Sequence, residues 1–288
     1  LGRSVPGRLP DGRRAEEPRD ANRDERRRTS RDRPGDHRVP RLERGRRARR
    51  LPLRQRDADR RRGQAGHQRR VPLQARRAGD PARARLISGL WDSAKQMAEK
   101  RSYLTFTGVF KGVPITTTST GIGGPATAIA IEELASIGAK TLIRVGSSGA
   151  IQKHIKCGDL IITTGAVRND GTSAQYVVPQ YPAFANHQVT LALIEAAESF
   201  GFRYHVGITC STDSFFTGQG RPGFKNYWQS NMDNIIPDLK AARVLNFEME
   251  CSTIFTLSNL FGLRSGAVCA VFANRETEEF ATLGEKEA

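Results

Sequence analysis

From Leu86 to Phe272 short apolar runs alternate with stretches of helical spacing, and this alternation constrains the fold of the 288-residue chain more than any other property. Leu86, Leu90, Ala94 and Met97 recur at helical spacing, which predicts a helix over 86–100. Residues 104–109 and 113–119 alternate as two strands, joined by a Lys111-Gly112 turn. Helices are predicted over 127–137, 188–200 and 247–260, each followed by a glycine that cannot favour further helix. Strands are predicted over 141–145, 160–164, 204–209 and 265–272, the last apolar enough to be buried on both faces. Strands and helices of these lengths in alternation predict an α/β class, a single domain with a twisted, mostly parallel sheet flanked by helices. Ligands of such sheets sit beyond the carboxyl ends of the strands. The turns after Ser119, Val145 and Ala273 are therefore the places to look for a site.

The first third of the chain reads differently. The net charge of +16 suggests a nucleic-acid binder, but residues 1–80 hold 27 arginines and 12 acidic side chains, which accounts for nearly all of it. Before Ile87 there is no Lys, Ile, Phe, Tyr, Trp, Met or Cys. Such a segment has too little apolar surface to offset chain entropy, so residues 1–78 are expected to be a disordered, Arg-rich leader. Arginine without lysine also matches GC-rich DNA translated out of frame. The competing explanation, a basic arm for nucleic acid, lacks the interleaved aromatics that stack bases. No apolar run reaches membrane-spanning length and no signal-peptide core stands near the start, so a cytoplasmic protein without membrane contact is expected. Cys157, Cys210, Cys251 and Cys269 form no CxxC pair and no metal-ligand spacing, which reads as buried free thiols.

Four segments carry chemistry. In Ile143-Arg144-Val145-Gly146-Ser147-Ser148-Gly149 a buried strand delivers an arginine to a turn of small residues. Backbone N–H groups, hydroxyls and a guanidinium there can cradle an oxyanion, and the same pattern also fits an ion pair beside a tight turn. Gly79-Asp80-Pro81-Ala82-Arg83 is a second Gly-plus-Arg loop with the same ambiguity. Asn246-Phe247-Glu248-Met249-Glu250 places two carboxylates at an expected helix start, as dipole complements or as acceptors for ribose hydroxyls. Phe215-Phe216-Thr217-Gly218-Gln219-Gly220-Arg221 could stack a base and read its edge, or anchor a loop. Gly121–Pro125 is not a dinucleotide fingerprint, because its spacing is wrong.

Together, Ser119 to Pro125, Ile143 to Gln152, Phe215 to Arg221, Asn246 to Glu250 and Asn274-Arg275 occur in the order and spacing of uridine phosphorylases. From Gly79 nearly to its end, the chain resembles the nucleoside phosphorylase family. The resemblance implies phosphorolysis of uridine to uracil and ribose 1-phosphate, a pentosyl transfer in pyrimidine salvage. Inorganic phosphate is the co-substrate, and no cofactor or metal is implied. Gly79, Arg83, Arg144 and Ser147 match phosphate-binding positions, and Arg101 matches an arginine lent by a neighbouring subunit. Met249 and Glu250 match ribose contacts. Phe215 matches the aromatic beside the base, Gln219 and Arg221 the pair reading the uracil edge, and Arg275 lies near it. Arg221, Glu250 and Gln219 are the residues expected to act in catalysis. A homo-oligomer built from dimers, hexameric in the family, is implied as well.

Three departures from the family pattern stand out. A first strand and a histidine that reaches the neighbour's site should precede Gly79, and the leader does not supply them. The domain is therefore expected to run over 79–288 without that strand. The final helix of the family is not expected in the C-terminal residues. Ser102 and Ala126 stand where some members use Glu and Ser to bind a monovalent cation, so that site is not carried over. Other functions kept open are a purine nucleoside phosphorylase or nucleosidase on the same fold. From another class, an inactive chain with a nucleic-acid-binding basic tail is the alternative.

Overall fold

The computed structural model describes residues 74–281, with the backbone alone at 74–78. The expected disorder of the leader and the missing final helix concern residues almost wholly outside that range. The exception is Gln74–Ala78, which forms strand β1 inside the sheet, parallel to and between β4 (Val113–Ser119) and β5 (Thr141–Ala150). The domain was expected to begin at Gly79 without a first strand, whereas here the sheet takes in the five residues before that boundary. The sequence Gln-Ala-Arg-Arg-Ala carries no apolar β-branched signal, and backbone pairing on both sides defines the strand.

After β1 come α1 (Pro81–Gly89), the antiparallel strands β2 (Ser93–Lys100), β3 (Tyr103–Phe110) and β4, and then α2 (Gly124–Ser136). The helix predicted over 86–100 is thus divided: it stops at Gly89, and the rest is an edge strand with every residue exposed. Leu86, Leu90 and Met97 are all more than half exposed, so their helical spacing reflects no buried face. Beyond β5 follow β6 (Leu160–Asn169), α3 (Gly171–Tyr176), β7 (Ala183–Phe184), α4 (His187–Ser199) and β8 (Tyr204–Thr212). The chain continues through α5 (Ile235–Ala241), β9 (Asn246–Glu248), α6 (Cys251–Leu260), β10 (Arg264–Asn274) and β11 (Glu279–Phe280).

The eleven strands form one sheet. Its pairings are mixed rather than mostly parallel. β1–β4, β1–β5, β5–β10, β6–β8 and β8–β9 run parallel, while β2–β3, β3–β4, β5–β9, β6–β7, β6–β10 and β10–β11 run antiparallel. The expectation of mostly parallel pairing rests on the overall alternation of strands and helices, although two of the expected strands are already joined by a turn. Here β2 to β4 are joined by tight turns, and β6 follows β5 without a helix between them. Because β10 pairs with both β5 and β6, and β9 bridges β8 and β5, five strands close on themselves. Closure removes exposed edges in the middle of the sheet, as in a barrel.

The main core lies where α2 and α6 pack together over the sheet, with Ile131, Leu142, Ile254, Phe255 and Leu257 almost fully buried. Each such side chain contributes about 1.5–3 kcal/mol. α6 is buried from Cys251 through Ser258, packed against β5, β6, β7 and β10. Among the described residues no helix is long and apolar enough to cross a membrane.

Candidate active site

A cavity of about 770 Å³ opens beyond the carboxyl ends of β1, β5 and β10. One end is built by α1 and β5. Asp80 caps α1, its Oδ1 accepting from the Ala82 N–H at 2.9 Å, with Pro81 opening the helix. Arg83 follows in the first turn and donates from NH1 to the Val145 carbonyl at 3.4 Å. Gly79, Arg83, Arg144 and Ser147, the expected phosphate positions, all line this end. Residues Gly146-Ser147-Ser148-Gly149 were expected as a turn and instead continue β5 to Ala150. Pairing with β10 on one side and β9 on the other keeps the segment extended.

Arg144 is buried and lies flat against Gly146; a Cβ there would stand 2.7 Å from its guanidinium carbon. Its Nε donates to Glu248 Oε2 at 2.9 Å, and its NH2 pairs with Glu250 Oε2 at 2.6 Å. Two carboxylates therefore share one cation. Burial would lower the Arg144 pKa, but Glu250 and Glu248 outweigh it and hold the guanidinium firmly protonated. Burial raises the Glu250 pKa, against the pull of Arg144 and with the push of Glu248. Two carboxylates thus compete for one guanidinium, and their mutual repulsion adds to burial in raising the Glu250 pKa. Glu250 Oε1 also accepts from the Gly123 N–H at 2.6 Å. Gly123 is the N-cap of the 13-residue α2, with a φ of 93° that favours glycine, so the carboxylate also meets the positive end of a helix dipole.

The expected ribose contacts, Met249 and Glu250, both line the cavity. They do not open a helix as predicted. Asn246–Glu248 is strand β9, paired with β8 and β5, and α6 begins only at Cys251. Burial of Phe247 between those strands keeps the segment extended.

At the far end Gln219 closes a 3-10 turn and is buried, while Gly220 takes the left-handed conformation that swings the chain to Arg221. Arg275 donates from NH1 to the Gln219 carbonyl at 2.9 Å and from NH2 to its Oε1 at 3.0 Å. A guanidinium only donates, so this contact fixes which end of the amide is oxygen. The Gln219 amide nitrogen and one Oε1 lone pair are left for a ligand. The Arg221 guanidinium stacks 4.1 Å from the Phe215 ring centre. Burial lowers the pKa of Arg221, and burial together with Arg221 lowers that of Arg275 to about 10. Both stay cationic near neutrality, in a place where a developing anion would be stabilised.

Of the expected site residues only Arg101 lies off the cavity. It is exposed at the β2–β3 turn. The turn after Ser119, expected at the site, contributes Gly121 and Ile122; sequence reasoning missed Phe272 and Phe280 as lining residues, and it gave Phe247 and Glu248 no separate roles. Phe280 arrives on the short hairpin strand β11, whose sequence carries no strand signal. Among the described residues no group of three or more His, Cys, Asp or Glu could hold a metal ion, and all four cysteines are buried.

The cavity thus combines buried and half-buried cations, a carboxylate paired with one of them, and a donor-rich region faced by an aromatic ring. The chain is 65% identical over 210 residues to the uridine phosphorylase of Thermococcus kodakarensis, covering 73% of this chain and 76% of that protein. It is 41% identical over 202 residues to the uridine phosphorylase of Escherichia coli, covering 70% and 80%. It is also 36% identical over 196 residues to a guanosine phosphorylase of Halorubrum lacusprofundi, covering 68% and 76%. The sequence model of the Phosphorylase superfamily matches residues 78–288, and the chain belongs to that superfamily.

Proposed function

We propose that this chain is an enzyme that cleaves uridine with phosphate, giving uracil and ribose 1-phosphate. The observation that carries this is a single cavity that brings together Arg83 and Arg144, the Glu250 carboxylate paired with Arg144, and Gln219 and Arg221. Cations, a carboxylate and an amide with a further cation suit, in turn, the phosphate, the ribose hydroxyls and the base edge of a nucleoside. Relatives up to 65% identical carrying the uridine phosphorylase name support it.

The chemistry follows from the charges. A phosphate oxygen attacks C1′ from the Arg83–Arg144 side, and the C1′–N1 bond breaks with its electron pair passing to the base. Positioning converts a bimolecular encounter into a nearly unimolecular one. Glu250 accepts hydrogen bonds from the ribose hydroxyls as the sugar gains positive charge. Gln219 and Arg221 donate to the uracil carbonyls as the base becomes an anion, which then takes a proton from solvent. Inorganic phosphate is the co-substrate.

A purine would need an acid to protonate its N7 nitrogen. Asn274, the residue before Arg275, is buried outside the cavity lining, and its side chain is already engaged. Its Nδ2 donates to Gln152 O at 3.0 Å and Ile155 O at 2.6 Å, and its Oδ1 accepts from Glu276 N at 2.8 Å. That supports uridine over the guanosine chemistry of the Halorubrum relative. A homo-oligomer is part of the proposal, because Arg101 lies outside its own chain's cavity and would serve a neighbour's. Incubating the purified chain with uridine, with and without phosphate, tests the function. Uracil and ribose 1-phosphate should form only with phosphate, and equal base release without it would make the enzyme a hydrolase.

A further inference from the structure

Glu248 is held by more donors than any other carboxylate bordering the cavity, yet its side chain is fully buried. Its Oε2 accepts from Arg144 Nε at 2.9 Å, from Glu250 N–H at 2.8 Å and from Cys251 N–H at 2.9 Å. Its Oε1 accepts from Cys251 N–H at 3.1 Å and from the Ser211 hydroxyl. Ser211 stands beside Glu248 in the parallel β8–β9 register, and its oxygen accepts from the Ser252 N–H at 2.9 Å. Three neighbours, β5, β8 and the start of α6, therefore converge on one carboxylate.

We infer that Glu248, oriented by Ser211, is a positioning residue that sets the plane of the Arg144 guanidinium for phosphate. The inference rests on the phosphorolysis proposed above. Nε is the guanidinium nitrogen nearest the side-chain stem, so a bond to it fixes rotation about the last torsion. With Nε on Glu248 and the flat face against Gly146, the guanidinium has one orientation. NH1 makes no hydrogen bond among the described residues and is the nitrogen left for an oxyanion.

Glu250 cannot hold that orientation alone. It must turn its oxygens to the ribose in each catalytic cycle, which loosens its pair with Arg144 NH2. Glu248 has no such duty, because backbone N–H groups and Ser211 already occupy its oxygens. The two glutamates of the Glu-Met-Glu segment thus divide the work: Glu250 meets substrate, and Glu248 keeps the phosphate arginine aimed.

The test compares Glu248→Gln and Ser211→Ala with wild type, measuring KM for phosphate, KM for uridine, kcat and thermal unfolding. The amide turns an N–H toward donors and releases Nε, whereas Ser211→Ala removes one orienting bond and leaves the charge. Glu248→Gln is expected to raise the phosphate KM at least tenfold, and several times more than the uridine KM. Ser211→Ala is expected to shift the same ratio by a smaller factor with the melting temperature nearly unchanged. If Glu248→Gln does not fold, Ser211→Ala decides alone. Phosphate and uridine KM rising together, or a fall in kcat with phosphate KM unchanged, would overturn the inference while leaving phosphorolysis intact. A wild-type enzyme indifferent to phosphate would instead sink the proposed function.

Discussion

Arg275 grips Gln219 at both ends, with NH1 on its carbonyl oxygen at 2.9 Å and NH2 on its Oε1 at 3.0 Å. The amide proposed to read the base is thereby fixed before a ligand arrives, so no binding energy is spent orienting it. Arg275 itself is tied to the sheet through its own N–H to Ala150 O at 2.9 Å. The 3-10 turn that carries Gln219 is thus clamped to the ends of β5 and β10.

Arg275→Ala should leave Gln219 free to rotate and its Oε1 unpaired. Hydrogen bonds to charged groups contribute about 1.5–3 kcal/mol, so kcat/KM for uridine should fall roughly ten- to a hundredfold. Arg275→Lys should recover only part of this, because an ammonium cannot reproduce the fork. Steady-state kinetics with uridine at saturating phosphate is the measurement, and an unchanged kcat/KM in Arg275→Ala would refute the clamp.

Arg221 should behave differently. Its guanidinium rests on the Phe215 ring and only donates, so its contact strengthens as the base carbonyls gain negative charge. Arg221→Ala is expected to lower kcat by about ten- to a hundredfold while the uridine KM moves little, the signature of an interaction made mainly in the transition state. A normal kcat with a raised KM would reduce its role to ground-state binding.

Much of this site was legible because its chemistry needs particular residue types. A guanidinium at the end of a buried strand, a Glu-Met-Glu segment and a Gln-Gly-Arg loop are readable in order, and all reach one cavity. What stayed hidden depends on long-range pairing. Gly146 to Gly149 has the composition of a turn, yet β10 and β9 keep it extended. Leu86, Leu90 and Met97 have helical spacing without a buried face, and pairing with β3 decides the second half of that segment. The role of Glu248 depends on Ser211, 37 residues earlier, and no local pattern announces that meeting.

Acid should inhibit the enzyme through Glu250. Burial raises its pKa above the ordinary glutamate value, so as pH falls it takes up a proton before an exposed glutamate would. Protonation removes the charge that pairs with Arg144 and an acceptor for the ribose hydroxyls. The acid limb of kcat/KM should therefore lie at higher pH than an ordinary carboxylate would give. It should disappear from the residual activity of Glu250→Gln. A pH–rate profile identical in shape for both enzymes would assign the limb to another group.

Removing Arg144 should affect stability as well as phosphate. Arg144→Ala deletes a charge-assisted contact of about 1.5–3 kcal/mol to the anion, so the phosphate KM should rise roughly ten- to a hundredfold. It also strands Glu248 and Glu250 without their cation in a buried place. Breaking a buried pair from one side costs about 3–5 kcal/mol. At ~2–4 °C per kcal/mol for a domain of this size, the melting temperature should drop by about 6–20 °C. An unchanged melting temperature would mean that the carboxylates are less dependent on Arg144 than the geometry indicates.

Gly146 offers a way to disturb the phosphate end without touching a charge. A Cβ at this position would stand 2.7 Å from the Arg144 guanidinium carbon and 2.8 Å from both terminal nitrogens. The obstacle is the end of a side chain rather than backbone, so the strand can persist while the guanidinium moves. β5 is paired with β10 through this segment, with Gly146 opposite Cys269, which holds the backbone in place. The moved guanidinium would lose its fit between Glu248 and Glu250, and its free nitrogen would point elsewhere. Gly146→Ala is therefore expected to raise the phosphate KM at least fivefold. The loss of stability should be smaller than that of Arg144→Ala, because both carboxylates keep a nearby cation. Overpacking of this kind typically costs about 1–3 kcal/mol. Phosphate kinetics and thermal unfolding of the two variants side by side decide the matter. A Gly146→Ala enzyme with wild-type phosphate KM would show that the guanidinium has room the structure does not indicate.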